Sequence, residues 1–387
     1  VATASEGVAV AATKNPMQFG SIAAAALALP GVILHAENAP ESGEVALKYL
    51  SYKDSQPGFD RIAASAPSIY VLLPISPRWS VEGSAVSDAV SGATPRYHSA
   101  ISGASRMHEE RRAADVKVTR YQDRASFSLG VSRSDEHDYT SNALSFDVAI
   151  ASDDNNRTWN LGVGTSSDSI GSSNDANLHE SRKTTEVMVG VTQAVTANDL
   201  VQGNVTVSNG KGYYSDPYKE PDVRPDKRDQ VIGLLRWNHH FGELGATLRT
   251  SYRYYHDTFG ISAHTVSTEW VQPITSRLSV TPSLRLYSQS AATFYFDPFY
   301  DKNVGAPYPT NYFSNPPTYI SPDQRLSAFG AVTGGLKFVL QADANWRADL
   351  KVEHYVQQSN WRIGGSGSVG LDNFYANFIQ LGLSRRF

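Results

Sequence analysis

The sequence predicts an all-β protein: a transmembrane antiparallel β-barrel of about 16 strands, with short periplasmic turns and long extracellular loops. Three observations predict this fold: segments that alternate apolar and polar residues, aromatic residues beside short links, and a last strand that ends in Phe387. Alternation with a period of two marks a strand with one apolar and one polar face. In such a barrel the apolar faces contact lipid and the polar faces line the lumen.

Residues 1–43 of the 387-residue chain are predicted to precede the barrel as a separate extension. Their apolar run, Ser21–Leu34, is interrupted by Pro30 and is shorter than the roughly 20 residues that a membrane-spanning helix needs. Together with the following "HAENAPE", it resembles the apolar and cleavage regions of a secretory signal peptide. The alternative is a small-residue segment that acts as a plug in the lumen or as a periplasmic arm. Under the plug interpretation, the packing residues are Ala23, Ala26, Leu29 and Pro30.

Residues 44–387 are predicted to form the barrel. In one typical segment, Phe127, Leu129 and Val131 share a face opposite Ser126 and Ser128. An even strand number places both ends of the barrel at one rim, as in single-chain bacterial barrels, and 14 or 18 strands remain alternatives to about 16. The predicted strands lie near residues 45–52, 68–75, 79–88, 113–121, 125–134, 142–152, 158–167, 184–195, 200–213, 230–241, 245–257, 261–274, 278–294, 326–341, 346–358 and 373–387.

The links between these segments differ in length. Short links such as Gln122–Arg124 and Ala342–Asn345 alternate with long ones. The predicted long loops are Ala89–Arg112, Asp168–Lys183, Asp216–Asp229 and Phe296–Gln324. Aromatic residues beside the short links predict an interfacial girdle at the periplasmic rim. Its members are Trp79, Trp159, Phe241, Trp270 and Trp346.

The last strand predicts how the protein reaches its membrane. Phe387 shares one face of this strand with Ile379, Leu381 and Leu383, whereas Arg385 interrupts that face. The ending resembles the C-terminal signal that barrel-assembly machinery recognises. An arginine at the rim is tolerated because its side chain can extend to the headgroups. The expected location is the bacterial outer membrane, and the expected partners are outer-membrane lipid and the assembly machinery.

The predicted lumen is lined by charges of both signs. Acidic residues predominate in the first half of the barrel and basic residues in the second, which would set up a transverse field across the pore. The alternative is that these charges pair with one another or with a plug. The predicted pore-lining residues are Glu82, Asp88, Asp115, Asp147, Glu186, Arg236, Arg249, Arg253, Arg285, Lys337 and Arg347.

Several function classes receive no support from the sequence. The chain has no cysteine and a net charge of −4, which argue against a disulfide framework and a nucleic-acid partner. His108 is followed by Glu109 and Glu110 but lacks the second histidine of a zinc-protease motif. No nucleophile elbow or phosphate loop is present. We therefore expect no enzymatic activity, no catalytic residue, no cofactor and no metal.

Four stretches together resemble a known family: "LKYLSYKDSQPGFDRI", "DAVSGATPRYHSAISGASRMHEERRAADVKV", "SDPYKEPDVRPDKRDQ" and "DQRLSAFGAVTGGL". They are similar to a family of proteobacterial outer-membrane barrels, domain of unknown function 3570 (DUF3570). The resemblance covers most of residues 44–387 and implies the barrel. Members of the family that the chain resembles are encoded near a small lipoprotein, a thioredoxin-like protein and a flavin transferase. This resemblance implies an envelope redox or transport role. It supplies no catalytic residues.

Two functions follow as expectations. The first is an outer-membrane, porin-like channel or export conduit for small polar solutes or a secreted factor. The alternative is a structural sleeve or receptor for an envelope partner, such as a small lipoprotein or redox protein. The loop Phe296–Gln324 is rich in Tyr and Pro, and it is expected to form a lid over the mouth or to recognise such a partner.

Overall fold

The computed structural model describes residues 39–92, 107–297, 308–309 and 312–387. The plug residues proposed from the sequence, Ala23, Ala26, Leu29 and Pro30, lie outside these described residues. Sixteen strands form one closed barrel in which each strand pairs with its neighbours in the chain and β1 pairs with β16. The fold class and the predicted strand number are therefore confirmed.

The strand bounds follow the alternating segments closely. In chain order the strands are β1 Glu44–Gln56, β2 Phe59–Ser76, β3 Trp79–Gly92, β4 Met107–Gln122, β5 Ala125–Asp135, β6 Tyr139–Ala151, β7 Arg157–Ile170, β8 Glu180–Ala194, β9 Asp199–Gly212, β10 Lys227–Phe241, β11 Ala246–Asp257, β12 Ser262–Pro273, β13 Leu278–Gln289, β14 Phe329–Gln341, β15 Trp346–Gln358 and β16 Phe374–Arg386. Within the described ranges, no helix has the length and apolar character needed to cross a membrane.

The wall is apolar outside and polar inside. On β5 the outward Leu129 and Val131 are about half exposed, whereas the inward Ser126 and Ser128 are buried. The same outward exposure recurs around the ring, for example at Leu381. A water-soluble β-sandwich buries its apolar faces, so this arrangement instead fits a barrel surrounded by lipid. The outward side chains form the lipid-facing surface.

The two rims differ in their connections. The seven links at one rim, here the short-turn rim, are all short: 77–78, 123–124, 152–156, 195–198, 242–245, 274–277 and 342–345. All four predicted long loops lie at the opposite, long-loop rim, together with the loop 359–373 that the sequence interpretation did not include. The long-loop rim also has tight connections at 57–58, 136–138 and 258–261.

The start of the barrel corrects the predicted strand limits. β1 and β2 were predicted to end and begin at residues 52 and 68, but they continue to Gln56 and from Phe59. Gly58 has a φ of 85°, a left-handed conformation that closes the tight turn without a Cβ penalty. Pro67 lies inside β2, where the ladder to β3 passes from Ser65 to Ser68, because proline has no N–H to donate.

The barrel closes where the two ends of its chain meet. The Phe387 N–H donates to the Gly43 carbonyl at 3.1 Å, and the Gly43 N–H donates to the Phe387 carbonyl at 2.9 Å. A Cβ on Gly43 would lie 2.6 Å from the Phe387 ring, so this position accepts only glycine without displacement of the ring. Phe387 therefore completes the seam of the barrel as well as facing outward, where it is 60% exposed.

Aromatic side chains lie at the short-turn rim, as predicted. Trp79, Trp159 and Trp346 are exposed there, and Phe241 lies 5.2 Å from Trp270 between ring centroids. The Arg385 guanidinium lies 5.4 Å from the Trp346 ring centroid. That contact explains how arginine is accommodated on the outward face of β16, because a cation over an indole ring keeps its charge near the interface.

Candidate functional site

The predicted acidic residues of the lumen lie on inward rows, and several are paired. Glu82 accepts from Lys117 at 3.2 Å, and Asp88 accepts from the Arg111 Nε at 2.7 Å. Asp115 accepts a hydrogen bond from Ser84. Basic residues thus lie among the acids in the first half of the barrel, and the transverse field across the pore stays a prediction.

Asp147 on β6 and Glu186 on β8 differ from Glu82 and Asp88. Neither forms an ion pair with a residue in the described part of the chain. Glu186 is buried, and its Oε2 has no hydrogen-bond partner there. Like Asp115, these two carboxyls belong to the part of the predicted acidic set for which no ion pair is formed within the described residues.

The predicted basic residues also lie on inward rows. Some of them contact a carboxylate, and one contacts an amide oxygen. The Arg236 guanidinium donates to the Gln202 amide oxygen at 3.1 Å. Arg249 lies 3.7 Å from Glu269, and Arg347 lies 3.3 Å from Glu44. Lys337 lies inward on β14. Arg253 and Arg285 form no ion pair with any described residue, and pore lining by all eleven residues stays a prediction.

A ring of aspartate–arginine pairs lies beneath the long-loop rim. Each pair joins neighbouring strands on their inward faces, which offsets two charges that would otherwise be buried alone. The described pairs are Asp54–Arg61 at 3.4 Å, Asp88–Arg111, Asp168–Arg182 at 2.9 Å and Asp257–Arg228 at 2.9 Å. Sequence reasoning found only Asp88 of this ring.

Tyrosines support the same level of the barrel through a short repeated pattern. At the long-loop ends of β1, β11, β13 and β15, a tyrosine hydroxyl donates to the Asp or Gln two residues on, on the same face of its strand. The pairs are Tyr52–Asp54 at 2.7 Å, Tyr255–Asp257 at 2.6 Å, Tyr287–Gln289 at 2.5 Å and Tyr355–Gln357 at 2.8 Å. The sequence signal, Tyr-x-Asp/Gln at strand ends, was present and was missed.

Loops of the long-loop rim fold together above this ring, and we call them the cap. The cap consists of the described parts of loops 171–179, 213–226, 258–261, 290–328 and 359–373. Val223 and Ile320 exchange backbone hydrogen bonds of 2.7 and 2.9 Å between two of these loops. Tyr218 accepts from the Ser173 N–H at 2.7 Å, and Asp297 accepts from the Gly370 N–H at 2.9 Å. Four loops are therefore joined by direct bonds.

The strongest of these links is a cluster of buried charges, here the latch. It joins loop 213–226 to loop 290–328, and its members are Asp216, Lys219, Asp222, Arg224, Asp323 and Arg325. Three anions face three cations, so the cluster is neutral overall. Such a balanced arrangement tolerates burial, whereas removal of one member leaves an uncompensated charge.

Asp323 is the centre of the latch. Its carboxyl accepts from Arg224 at 2.8 Å, from the Arg325 Nε at 2.8 Å and from Lys219 at 3.4 Å. Burial alone would raise the pKa of Asp323, but Arg325, Lys219 and Arg224 hold that pKa well below its usual range. A depressed carboxylate pKa stabilises the folded state above the usual pKa, and this contribution is lost only as pH falls through the depressed value. Asp323 is therefore ionised at neutral pH.

Apolar packing completes the underside of the cap. Phe259 is fully buried and contacts Tyr214, Ile261, Ala292 and Leu326. The Arg228 guanidinium of the charged ring lies 4.6 Å from the Phe259 ring centroid. The cap thus packs directly against the Asp257–Arg228 pair of the ring.

The open space of the lumen is unevenly placed. Inward residues of β5, β7 and β8, such as Ser128, Gly164 and Thr184, are buried. On the other side, Arg285 on β13 is exposed although it lies on the inward row. Solvent therefore reaches the interior along the wall formed by β10 to β15.

A separate depression of about 420 Å³ lies on the outer surface of the barrel. Outward residues line it, among them Trp159, Val189, Leu235 and Tyr252, and Gly203 and Gly233 form its floor. Because this surface faces lipid, the depression belongs to the membrane-contacting wall and not to the lumen. No group of three or more His, Asp or Glu residues within the described ranges is arranged to hold a metal ion.

Comparison with known proteins agrees with the barrel. The family model described as "Protein of unknown function (DUF3570)" matches residues 97–179 and 172–378. A bacterial polysaccharide outer membrane secretin has 9% sequence identity and a TM-score of 0.50 over 92% of this chain and 99% of its own. OccK1 (OpdK) of Pseudomonas aeruginosa has 8% identity and a TM-score of 0.46 over 89% and 98%. At such identities the likeness concerns the fold alone. No curated protein sequence matches the chain.

Proposed function

The chain belongs to the family described as "Protein of unknown function (DUF3570)", and from its barrel and cap we propose that it is a gated outer-membrane channel for small polar solutes. The observation that carries this proposal is the latch of buried charges, which holds loops over a lumen lined by charged side chains. A sixteen-strand ring is wide enough to enclose water and solutes. The cap would then set when that route is open.

The direction of access follows from the position of the cap. Arg285 is exposed to the interior although packed loops lie across part of the long-loop mouth. Solutes would therefore enter the lumen first from the short-turn rim, which faces the periplasm in barrels of this type. We propose export of a small solute or secreted factor across the outer membrane as the physiological direction.

Solute permeation into liposomes tests the channel. Liposomes that contain the full chain are expected to take up small polar solutes faster than protein-free liposomes, and to exclude oligosaccharides too large for the lumen. Swelling rates measured by light scattering give the comparison. Rates equal to those of protein-free liposomes, for both the wild-type chain and its Asp323→Asn variant, would contradict a channel.

A receptor for an envelope partner is the second candidate, and a specific surface favours it. Phe313, Ile363 and Val369 project from the long-loop rim with exposures of 82%, 74% and 86%. Apolar side chains so exposed on loops often mark contact sites. A small lipoprotein or redox protein that copurifies in a fixed ratio, and is lost when these three residues are changed to Ser, would support the receptor. The barrel-assembly machinery remains a proposed partner during insertion only.

A further inference from the structure

Two arginines of the lumen differ from most of the other described arginines on the inward rows, which pair with carboxylates. Arg253 on β11 and Arg285 on β13 face inward on either side of β12. Arg253 pairs in register with Thr265, and Arg285 pairs with Ser267, two residues further along β12. Two strand spacings are about 10 Å, so the two long side chains can reach a common small ligand.

Neither guanidinium has a carboxylate partner among the described residues. This contrasts with Arg249 and Arg347, which each form an ion pair on the same wall. Arg253 instead lies 5.6 Å from the Tyr255 ring centroid. A guanidinium carries five N–H donors in a planar fork, and the exposed fork of Arg285 beside the half-buried fork of Arg253 can bind an oxyanion.

The neighbours of Arg285 leave room for a ligand and offer further donors. On the rung of Arg285, the adjoining inward residues are Ser267 on β12 and Thr333 on β14. Their hydroxyls are short and can donate or accept. Arg285 is exposed and its neighbours are small, so its guanidinium is accessible to a ligand in the lumen.

Aromatic and apolar side chains bound this space on the side of the cap. Tyr287 and Tyr355 pack against the buried cluster of Phe329, Ala331 and Leu371. Both tyrosine hydroxyls donate to glutamines, and the rings also pack against Phe329 and Phe374, so only the partly exposed portions of the rings are left for contact. Ring faces bind carbon skeletons and not hydrated inorganic ions.

We propose that Arg253 and Arg285 form a binding site for a small organic carboxylate, held by the two guanidiniums and packed against Tyr287 and Tyr355. This inference rests on the proposed channel function and adds the class of solute that the channel recognises. It is reached from the short-turn rim and lies directly beneath the cap, where a transported anion would wait before the cap opens.

Binding of succinate to the full chain in detergent micelles tests this site, with the neutral isostere succinamide as the matched ligand. By isothermal titration calorimetry, we expect succinate to bind and succinamide to bind at least about tenfold more weakly, because charge-assisted hydrogen bonds are lost. Arg285→Gln should weaken succinate binding by about tenfold or more. Arg236→Gln, which removes the same charge from β10, should leave binding unchanged.

Two further comparisons keep the test decisive. Arg285→Lys retains the charge without the planar fork and should recover only part of the affinity. Equal binding of succinate and succinamide, or equal losses in Arg285→Gln and Arg236→Gln, would overturn the site. Binding can be measured independently of permeation. Succinate binding without solute uptake would reject the channel and support the site. Solute uptake without succinate binding would support the channel and reject the site.

Discussion

Replacing Asp323 by Asn is expected to open the cap. The substitution keeps the shape of the side chain but removes the anion that accepts from Arg224, Arg325 and Lys219, which leaves three buried cations facing two anions. Breaking a buried pair in this way costs about 3–5 kcal/mol, so the ratio of open to closed cap should rise by about 100-fold or more. In planar bilayers, we expect the variant to show a much higher open probability than the wild type at the same single-channel conductance.

The matched control is Glu110→Gln at the same rim. Glu110 pairs with Arg112 at 2.9 Å, but the Arg112 side chain is 76% exposed, so the pair is worth little. This variant should behave like the wild type. An Asp323→Asn variant with unchanged open probability would show that the latch does not control the mouth. A changed single-channel conductance would indicate that Asp323 acts within the pore.

Shortening the chain by Phe387 is expected to reduce the amount of barrel in the outer membrane sharply. Phe387 closes the seam through two backbone hydrogen bonds to Gly43, and its ring continues the outward row of Ile379, Leu381 and Leu383. Loss of the residue removes both contacts and the aromatic end of the proposed assembly signal. We expect folded protein, measured by heat-dependent gel mobility of outer-membrane fractions, to fall by about tenfold, which corresponds to 1.4 kcal/mol.

Two substitutions distinguish the role of the Phe387 backbone, which closes the barrel, from the role of its ring in the proposed assembly signal. Phe387→Tyr keeps an aromatic ring and both backbone bonds and should assemble normally. Phe387→Ala keeps the backbone bonds to Gly43 but removes the ring. Normal assembly of Phe387→Ala would reject the ring as part of the signal, and normal assembly of the shortened chain would reject both roles.

The barrel was predictable because its determinants are local. A period of two along β5 or β7 needs only ten or so neighbouring residues to be read, and a closed barrel follows once every strand has one outward apolar row. The limits of β2 were not predictable in the same way. Pro57, Gly58 and Pro67 read as loop residues, but a two-residue turn and a short gap in the β2–β3 ladder accommodate them within long strands.

The cap was not predictable from the sequence beyond the suggestion of a lid. Arg224 and Asp323 are separated by 99 positions, and nothing local to either marks the other as its partner. The charged ring is intermediate in how far the sequence predicts it. Asp168 and Arg182 flank one loop and are close in the chain, but in the sequence they look like ordinary loop charges. The Tyr-x-Asp/Gln pattern at four strand ends was local and readable, and it identifies the level at which the lumen meets the cap.

The charged residues of the protein fall into two groups with different roles. Pairs in the ring and the latch neutralise one another and fix the loops, so they contribute structure to the mouth. Arg253 and Arg285 remain without carboxylates among the described residues and face an open interior, so they are available to a solute. A charge that stays unpaired in a lumen where most charges are paired is the better indicator of recognition.

A disulfide lock on the cap tests the central claim, that loop movement gates the lumen. Val223 and Ile320 exchange backbone hydrogen bonds, and such antiparallel pairs have Cα atoms about 5.5 Å apart, within reach of a disulfide. The chain has no cysteine of its own, so Val223→Cys with Ile320→Cys forms one defined bridge. In the Asp323→Asn background, single-channel openings should disappear on oxidation and return on reduction. Openings of equal frequency in the oxidised and reduced states would contradict the account.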